Sequence, residues 1–596
     1  MVDGINESDG VEAPRRPGRG RRWLALAGPE CFDQPAFPAF GGLLSDRPVR
    51  RRTLVVAFVL LAVFYGLLWS PWWYPVSDSA LYLCLARNLA EGRGHSFLGA
   101  PYREVPPLYP LFLAGLFEVS RSYAWLHVSS IALTWLSSLL SYVALRRWLP
   151  ARAALLVVAL TAATYWHYRN ATTLMTEPLF LCLFWTSWIG LGRCCQAGSL
   201  RVPWLLVALA AFALAFATRL AAVLLVPGLA IALWYGTKHL VGPGRRLVLV
   251  ACLLATAAAC TTVYLAWHRH RPPLDGAQAA EATVPPGPAL FSPRRPLFAF
   301  EARWPRGIRP LDAAWASARW VGEALVGPAR VGLAARSPFV RVAAAIPAFV
   351  ALGLCLLGAL RLLRAGGHWL VWPMTYAIPV IYRGGLNVTP RYVNPILPLV
   401  LLAVFVGLQT AGGWAGRSVR GERVRRAAGR LAGPALVVVL ILGNLPPYVG
   451  ELYLRHFRKG HYYDVARAGS YARGIDAAAY VRSSLPPDTV LILNERSLHR
   501  QIVLMTGRCV FSAKISLASA ADESALRDLA RASGKATTFL VYFGKWSDWP
   551  TWHFGFPRRD PDDYWGLYRL SAEGKLVRIL PPVDRDFFRR VPSSRI

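Results

Sequence analysis

Asp78 follows an apolar run and the aromatic stretch PWWYPVS, and it opens the segment SDSALYLCLARNLAEG (77–92). A carboxylate held against an apolar wall can accept a proton from an incoming hydroxyl. Leu81, Leu85 and Leu89 recur at helical spacing with polar residues between them. That pattern predicts an amphipathic helix along a membrane interface, with Asp78 at its N-terminal end, where a negative charge is favoured. Helix capping and plain solvation are the competing roles for Asp78. Three arginines, Arg219, Arg383 and Arg391, sit at the edges of apolar runs. A guanidinium fork matches phosphate geometry, while snorkelling to the interface is the structural alternative. Glu177 in TLMTEPLFL (173–181) lies near the start of an apolar run. An acid at membrane depth is costly unless it faces a polar cavity or a partner, so function is its default reading and an ion pair with Arg169 or Arg219 the bland one. His167, His268 and His270 lack carboxylates at metal-ligand spacing and read as interface histidines.

The chain that must position these residues is built for hydrocarbon. Of its 596 residues 55% are hydrophobic, and the mean hydropathy is +0.34. The formal charge of +34 is spread over the ends of apolar stretches and forms no single stripe, which argues against nucleic acid as a partner. The nine cysteines mostly lie in or beside apolar segments, without disulfide-framework or metal spacing; the Cys194–Cys195 pair reads as membrane-edge packing. Residues 1–50 carry PRRPGRGRR and SDRPVRRR but no apolar core with a cleavage site, so they read as a disordered basic cytoplasmic tail before a retained first span.

Apolar runs near 53–71, 124–145, 151–168, 173–192, 203–218, 220–236, 246–267, 340–362, 368–383, 392–411 and 434–454 predict a mainly α, polytopic bundle of about eleven spans. In the 203–236 stretch Arg219 divides one apolar run into two short ones. With the tail inside, the links 146–152, 192–201, 242–246, 361–367 and 416–430 fall on the cytoplasmic side, and all five are basic. The opposite side receives outer loops of about 72–123 and 268–339, the turn YRGGLNVTPR (382–391), and everything after 454. Residues 51–454 therefore read as the membrane domain and 455–596 as a small extracytoplasmic α/β domain. In the latter, 475–485 and 522–534 are expected as helices and 489–494 and 537–543 as strands. The aromatic segment 546–565 reads as a loop folded on its own core, with a sugar or lipid surface as the alternative.

Taken in order, Asp78 after the first span, Tyr82, a helix ending in Glu91-Gly92, PPLYP (106–110), TEPLF (176–180), ATRLAAVLLVP (217–227) and PRYVNPILP (390–398) resemble the GT-C superfamily of membrane glycosyltransferases. That superfamily includes the protein O-mannosyltransferases and the lipid A aminoarabinose transferases. Each motif is weak alone; their order along the whole layout carries the resemblance. It implies that Asp78 is the base that deprotonates an acceptor hydroxyl for inverting attack on a polyprenyl-phosphate sugar. It further implies that Arg391, with Tyr392 beside it, leads a substrate-binding set that also draws in Arg383, Arg219, Glu177, Tyr82 and Glu104. The acceptor would be a lipid, glycan or protein at the outer face of the cell's inner or plasma membrane, with membrane lipids as surroundings. Ser79 stands where family members carry Glu, and Val105 where Lys is frequent, so neither named substrate is implied. No cofactor is implied, and the sparse carboxylates of the loop argue against a required divalent cation. The alternative is a non-catalytic transporter or envelope-assembly scaffold binding lipid head groups. A transporter would place paired polar residues at mid-membrane in broken helices, whereas the ionisable residues here gather at the predicted outer interface.

Overall fold

The computed structural model describes residues 49 to 269 apart from 72, 74–75, 98–99, 195–199 and 239, residues 338 to 453 apart from 380–389 and 419–421, and short segments within 317–322 and 478–578. The tail 1–48, Arg383 with most of its turn, nearly all of 268–339, Cys195, the expected helix 522–534 and the aromatic segment 546–565 lie outside the described residues.

The elements are α1 (Arg51–Gly66), α2 (Ser77–Ala90), the short hairpin β1 (Ser96–Phe97) and β2 (Ala100–Pro101), α3 (Leu108–Val119), α4 (Tyr123–Leu145), α5 (Ala151–Ala163), α6 (Tyr165–Thr172), α7 (Glu177–Cys194), α8 (Val202–Thr218), α9 (Val226–Gly236) and α10 (Pro243–Arg269). They continue as α11 (Pro338–Arg364), α12 (His368–Val371), α13 (Leu397–Ser418) and α14 (Glu422–Leu452). Three 3-10 turns, Leu220–Leu225, Trp372–Tyr376 and Pro390–Ile396, lead into or out of these helices.

Where they are described, the predicted apolar runs fall mainly on helix and 3-10 turn, but the spans are not all independent rods. Among the described residues, three helices (Tyr123–Leu145, Pro243–His268 and Asn394–Gly412) are long and apolar enough to cross a bilayer, and α6 with α7 makes a fourth, bent by 116°. The bends have local causes. Thr164 is extended (φ −72°, ψ 142°) and its hydroxyl donates to the Thr161 carbonyl at 2.6 Å, which ends α5. Thr173 is likewise extended (φ −123°, ψ 142°) and ends α6. Arg219 leaves the helical region (φ −156°, ψ 119°), so the 203–236 run breaks where its one charge falls. In Pro390–Ile396 the ring of Pro395 removes a backbone donor, which leaves a 3-10 turn in place of regular helix.

The lipid-compatible exterior is plain in the exposed Val55, Val59 and Leu60 of α1 and Val438, Leu442 and Val449 of α14. Apolar surface of that extent is costly in water. Inside, α11 and α13 approach backbone to backbone: a Cβ on Gly358 would meet the carbonyl of Ala403, and one on Gly407 the carbonyl of Leu354. Gly407→Ala should therefore force the pair apart, lowering stability by about 1–3 kcal/mol as overpacked cores do. A fall in the melting temperature of the detergent-solubilised protein checks this.

Two expectations are corrected by packing. The α2 helix does not lie along an interface with one face wet: Leu81, Leu83, Cys84, Leu85 and Ala86 are all buried, in a cluster shared with Tyr109 and Leu113 of α3 and with Ala478, Val481, Leu491 and Leu504 from the C-terminal region. Arg87 adds a hydrogen bond to the Leu504 carbonyl at 3.2 Å. A helix apolar on several sides needs cover on several sides, which its three-leucine stripe alone underestimates. His167 is an interior residue, not an interface one, 5% exposed and hydrogen-bonded to Ser138 at 3.2 Å.

In the C-terminal region β3 (Val490–Leu493) and β5 (Thr538–Tyr542) match the two expected strands. They belong to a five-stranded sheet of order β4-β3-β5-β6-β7, completed by β4 (Val510–Ser512), β6 (Gly566–Leu570) and β7 (Leu576–Arg578). The β4-β3-β5 pairings are parallel and the β5-β6-β7 pairings antiparallel.

Candidate active site

Asp78 occupies the first turn of α2, whose N-cap is Val76 in extended backbone, so the capping position belongs to another residue. Asp78 is partly buried there. Its neighbour Ser79 is fully buried; its hydroxyl accepts from the Trp73 indole at 2.9 Å and donates to the Val76 carbonyl at 2.8 Å. The serine that replaces the expected acid thus braces the loop just before the helix. One turn after Asp78, Tyr82 meets Tyr109 of α3 edge to face at 5.3 Å.

Tyr109 leads inward to the charged centre. Burial holds its phenol well above the usual range, with Tyr82 and the Glu177 carboxylate as further charges acting on it. Glu177 opens α7 and is 3% exposed. It forms an ion pair at 2.7 Å with Arg219, which ends α8. The bland sequence reading of Glu177, a pair with Arg219, is therefore realised. The same guanidinium lies 4.7 Å over the ring of Tyr392 in the turn before α13. Tyr376, at the end of Trp372–Tyr376, is fully buried within electrostatic reach of Glu177, Arg219 and Tyr392, and its hydroxyl has no hydrogen-bond partner among the described residues.

Tyr82 and Tyr109 thus touch beside the start of α2, Glu177, Arg219 and Tyr392 are joined in contact, and Tyr109 and Tyr376 lie within electrostatic reach of Glu177. A guanidinium carries five N–H donors in a planar fork, a geometry that suits carboxylate and phosphate alike. Arg391 shares a turn with Tyr392; its side chain, like all of Arg383, lies outside the described residues. Among the described residues, the hydrogen-bond partner of Glu104 lies within its own loop. It is exposed, accepts from Tyr102 at 2.9 Å, and follows the hairpin, next to Arg103, which donates to the Trp267 carbonyl at 2.8 Å near the end of α10. Sequence reasoning missed Tyr109 and Tyr376. The first stands inside the quoted PPLYP motif, whereas nothing around WPMTY marks the second.

Behind this centre runs a polar seam that the sequence reading did not anticipate. Ser130 donates to the carbonyls of Asn170 (2.7 Å) and Thr173 (3.1 Å), Tyr65 bonds Ser138 (3.0 Å), and Asn444 accepts from the Tyr165 backbone N–H (2.8 Å). Broken helices with interior polar groups are therefore present after all. Their side chains are amides, hydroxyls and the His167 imidazole, whereas the ion pair lies where α7 begins and α8 ends.

No protein-family model matches the chain, and no curated protein does. Among solved structures the chain is similar to ArnT from Cupriavidus metallidurans bound to undecaprenyl phosphate, at 15% identity over 83% of this chain and 94% of that one, with a TM-score of 0.46. The apo state of the same protein gives 15% identity, 83% and 93% coverage and a TM-score of 0.47. The archaeal oligosaccharyltransferase AglB from Archaeoglobus fulgidus, in complex with an inhibitory peptide and a dolichol-phosphate, gives 12% identity over 90% of this chain and 74% of that one, with a TM-score of 0.47.

Proposed function

We propose that the chain is an inverting glycosyltransferase that moves a sugar from a polyprenyl-phosphate donor to a hydroxyl of a lipid, glycan or protein acceptor at the extracytoplasmic membrane face. The observation that supports this reading is the packing of the Asp78 helix on α3 through Tyr82 and Tyr109, with Tyr109 in electrostatic reach of Glu177, the partner of Arg219. The ordered GT-C-like motifs of the sequence supply the reaction class.

The chemistry needs few parts, because a sugar linked to a phosphate already has a competent leaving group. Asp78 takes the proton of the acceptor hydroxyl, the oxygen bonds the anomeric carbon, and the carbon–oxygen bond to the lipid phosphate breaks on the opposite face. The phosphate leaves with the electron pair, and cations stabilise it as its charge grows. Arg219 and Arg391 are assigned that role, with Glu177 and Tyr392 fixing the Arg219 guanidinium. Tyr82, one turn after the base, is assigned to the sugar hydroxyls, with Tyr109 packed against it.

Incubating the purified protein with a radiolabelled polyprenyl-phosphate sugar and a membrane extract tests the reaction. Label should move to an acceptor with inverted anomeric configuration. In a deletion strain the unused polyprenyl-phosphate sugar should accumulate and identify the donor; an unchanged lipid and glycan profile would count against the proposal.

A further inference from the structure

The turn Pro390–Ile396 that carries Arg391 and Tyr392 is a weak element on its own. A 3-10 turn has poor hydrogen-bond geometry, and Pro395 removes a donor from it. Something outside the turn must fix its rotation. Asn394, two residues after Tyr392 and 1% exposed, donates through Nδ2 to the Trp166 carbonyl at 3.1 Å and to Asn170 Oδ1 at 3.4 Å. Both acceptors belong to α6, which is itself anchored to α4 through Ser130 and to α14 through Asn444.

We propose that Asn394 and Asn170 form a buried amide clamp that sets the pose of the turn, making Asn394 a positioning residue for the Arg219–Tyr392 contact and for Arg391. The inference rests on the glycosyltransferase reading only for its consequence, not for its geometry. The amide orientation is fixed, because rotating Asn394 by half a turn would set its oxygen against the Trp166 oxygen. That leaves Asn394 Oδ1 and Asn170 Nδ2 buried without partners among the described residues. One is an acceptor and the other a donor on adjoining side chains, so a single buried water can satisfy both. Unpaired buried amide atoms oppose folding, and an apolar pair would avoid them. The amides therefore serve the direction they impose on the turn more than the stability they add.

The test separates the clamp from the reaction. In ligand-free protein, the Arg219→Lys and Tyr392→Leu variants should shift the melting temperature non-additively, because the two residues touch. In an Asn394→Leu background that non-additivity should vanish, since Tyr392 is no longer held under the guanidinium. Asn170→Ala removes one of the two anchors of Asn394 and keeps the Trp166 bond, so it should give a partial loss, which covers the case of an unfolded Asn394→Leu protein. Affinity for a polyprenyl monophosphate, followed by native mass spectrometry, should fall roughly tenfold in Asn394→Leu, as small misplacements of a binding group do, and no further when Tyr392→Leu is added. Coupling that persists unchanged in both backgrounds overturns the clamp, whatever the lipid binding. Coupling lost as expected, with no polyprenyl monophosphate bound even by the wild type, upholds the clamp and overturns the glycosyltransferase reading instead.

Discussion

Asp78→Asn protein is expected to insert and fold normally and to lose sugar transfer by roughly 10²–10⁴-fold, the usual contribution of a positioned general base. An amide has nearly the shape of a carboxylate but cannot take up a proton, so the substitution isolates the one property the mechanism needs. Asp78 lies in the first turn of α2 while Val76 holds the N-cap, so no cap is lost. The favourable meeting of a negative charge with the helix N-terminus, worth about 0.3–1 kcal/mol, is lost along with the base. Ser79, which braces the preceding loop, is untouched. The check is a transfer assay on purified variant whose gel-filtration profile matches wild type. Undiminished transfer by such a preparation would remove Asp78 from the mechanism. Asp78→Glu keeps the base and moves it by one methylene, so it should retain part of the activity; Asn and Glu variants that are equally dead would shift the role of Asp78 from proton acceptor to architecture.

The parts of this molecule legible in the sequence are those governed by local physics. Helix positions follow from apolar runs of bilayer length, and the break at Arg219 follows from placing a charge in the middle of one. The strands at Val490–Leu493 and Thr538–Tyr542 are continuous apolar runs, and a run of that kind declares itself. The three-residue β4 (Val510–Ser512) and β7 (Leu576–Arg578) carry too little pattern to do so, and exist because neighbours pair with them. The same division holds at the candidate site. Glu177 and Arg219 stand out because charges in apolar runs are expensive, and an ion pair with Arg169 or Arg219 is the bland reading of Glu177. Asn170 and Asn394 do not stand out, because a neutral amide costs little until its neighbours are known, and these two lie 224 positions apart. The burial of α2 escaped for a related reason. Its cover comes from Ala478, Val481, Leu491 and Leu504, a contact no helical period can encode.

Breaking the buried ion pair from one side should have the largest effect on stability. Arg219→Met leaves the Glu177 carboxylate, whose side chain is 4% exposed, without its guanidinium, and it also removes the cation from the Tyr392 ring. Losing one partner of a buried pair costs about 3–5 kcal/mol, because an uncompensated charge remains out of water. Glu177→Gln should cost less. The Arg219 side chain is 14% exposed, keeps the aromatic face of Tyr392, and can take an anion from its surroundings. The combined Glu177→Gln/Arg219→Met protein should recover much of the loss of the single Arg219→Met variant, since it buries no charge at all. Melting temperatures of the four proteins in one detergent test the order. A double variant no more stable than Arg219→Met would mean that the arginine acts through its packing on Tyr392 and not through charge. If the order holds, the double variant gains a second use: a stable bundle without the pair that still fails to bind a polyprenyl monophosphate would separate the anion-binding role of Arg219 from its structural one.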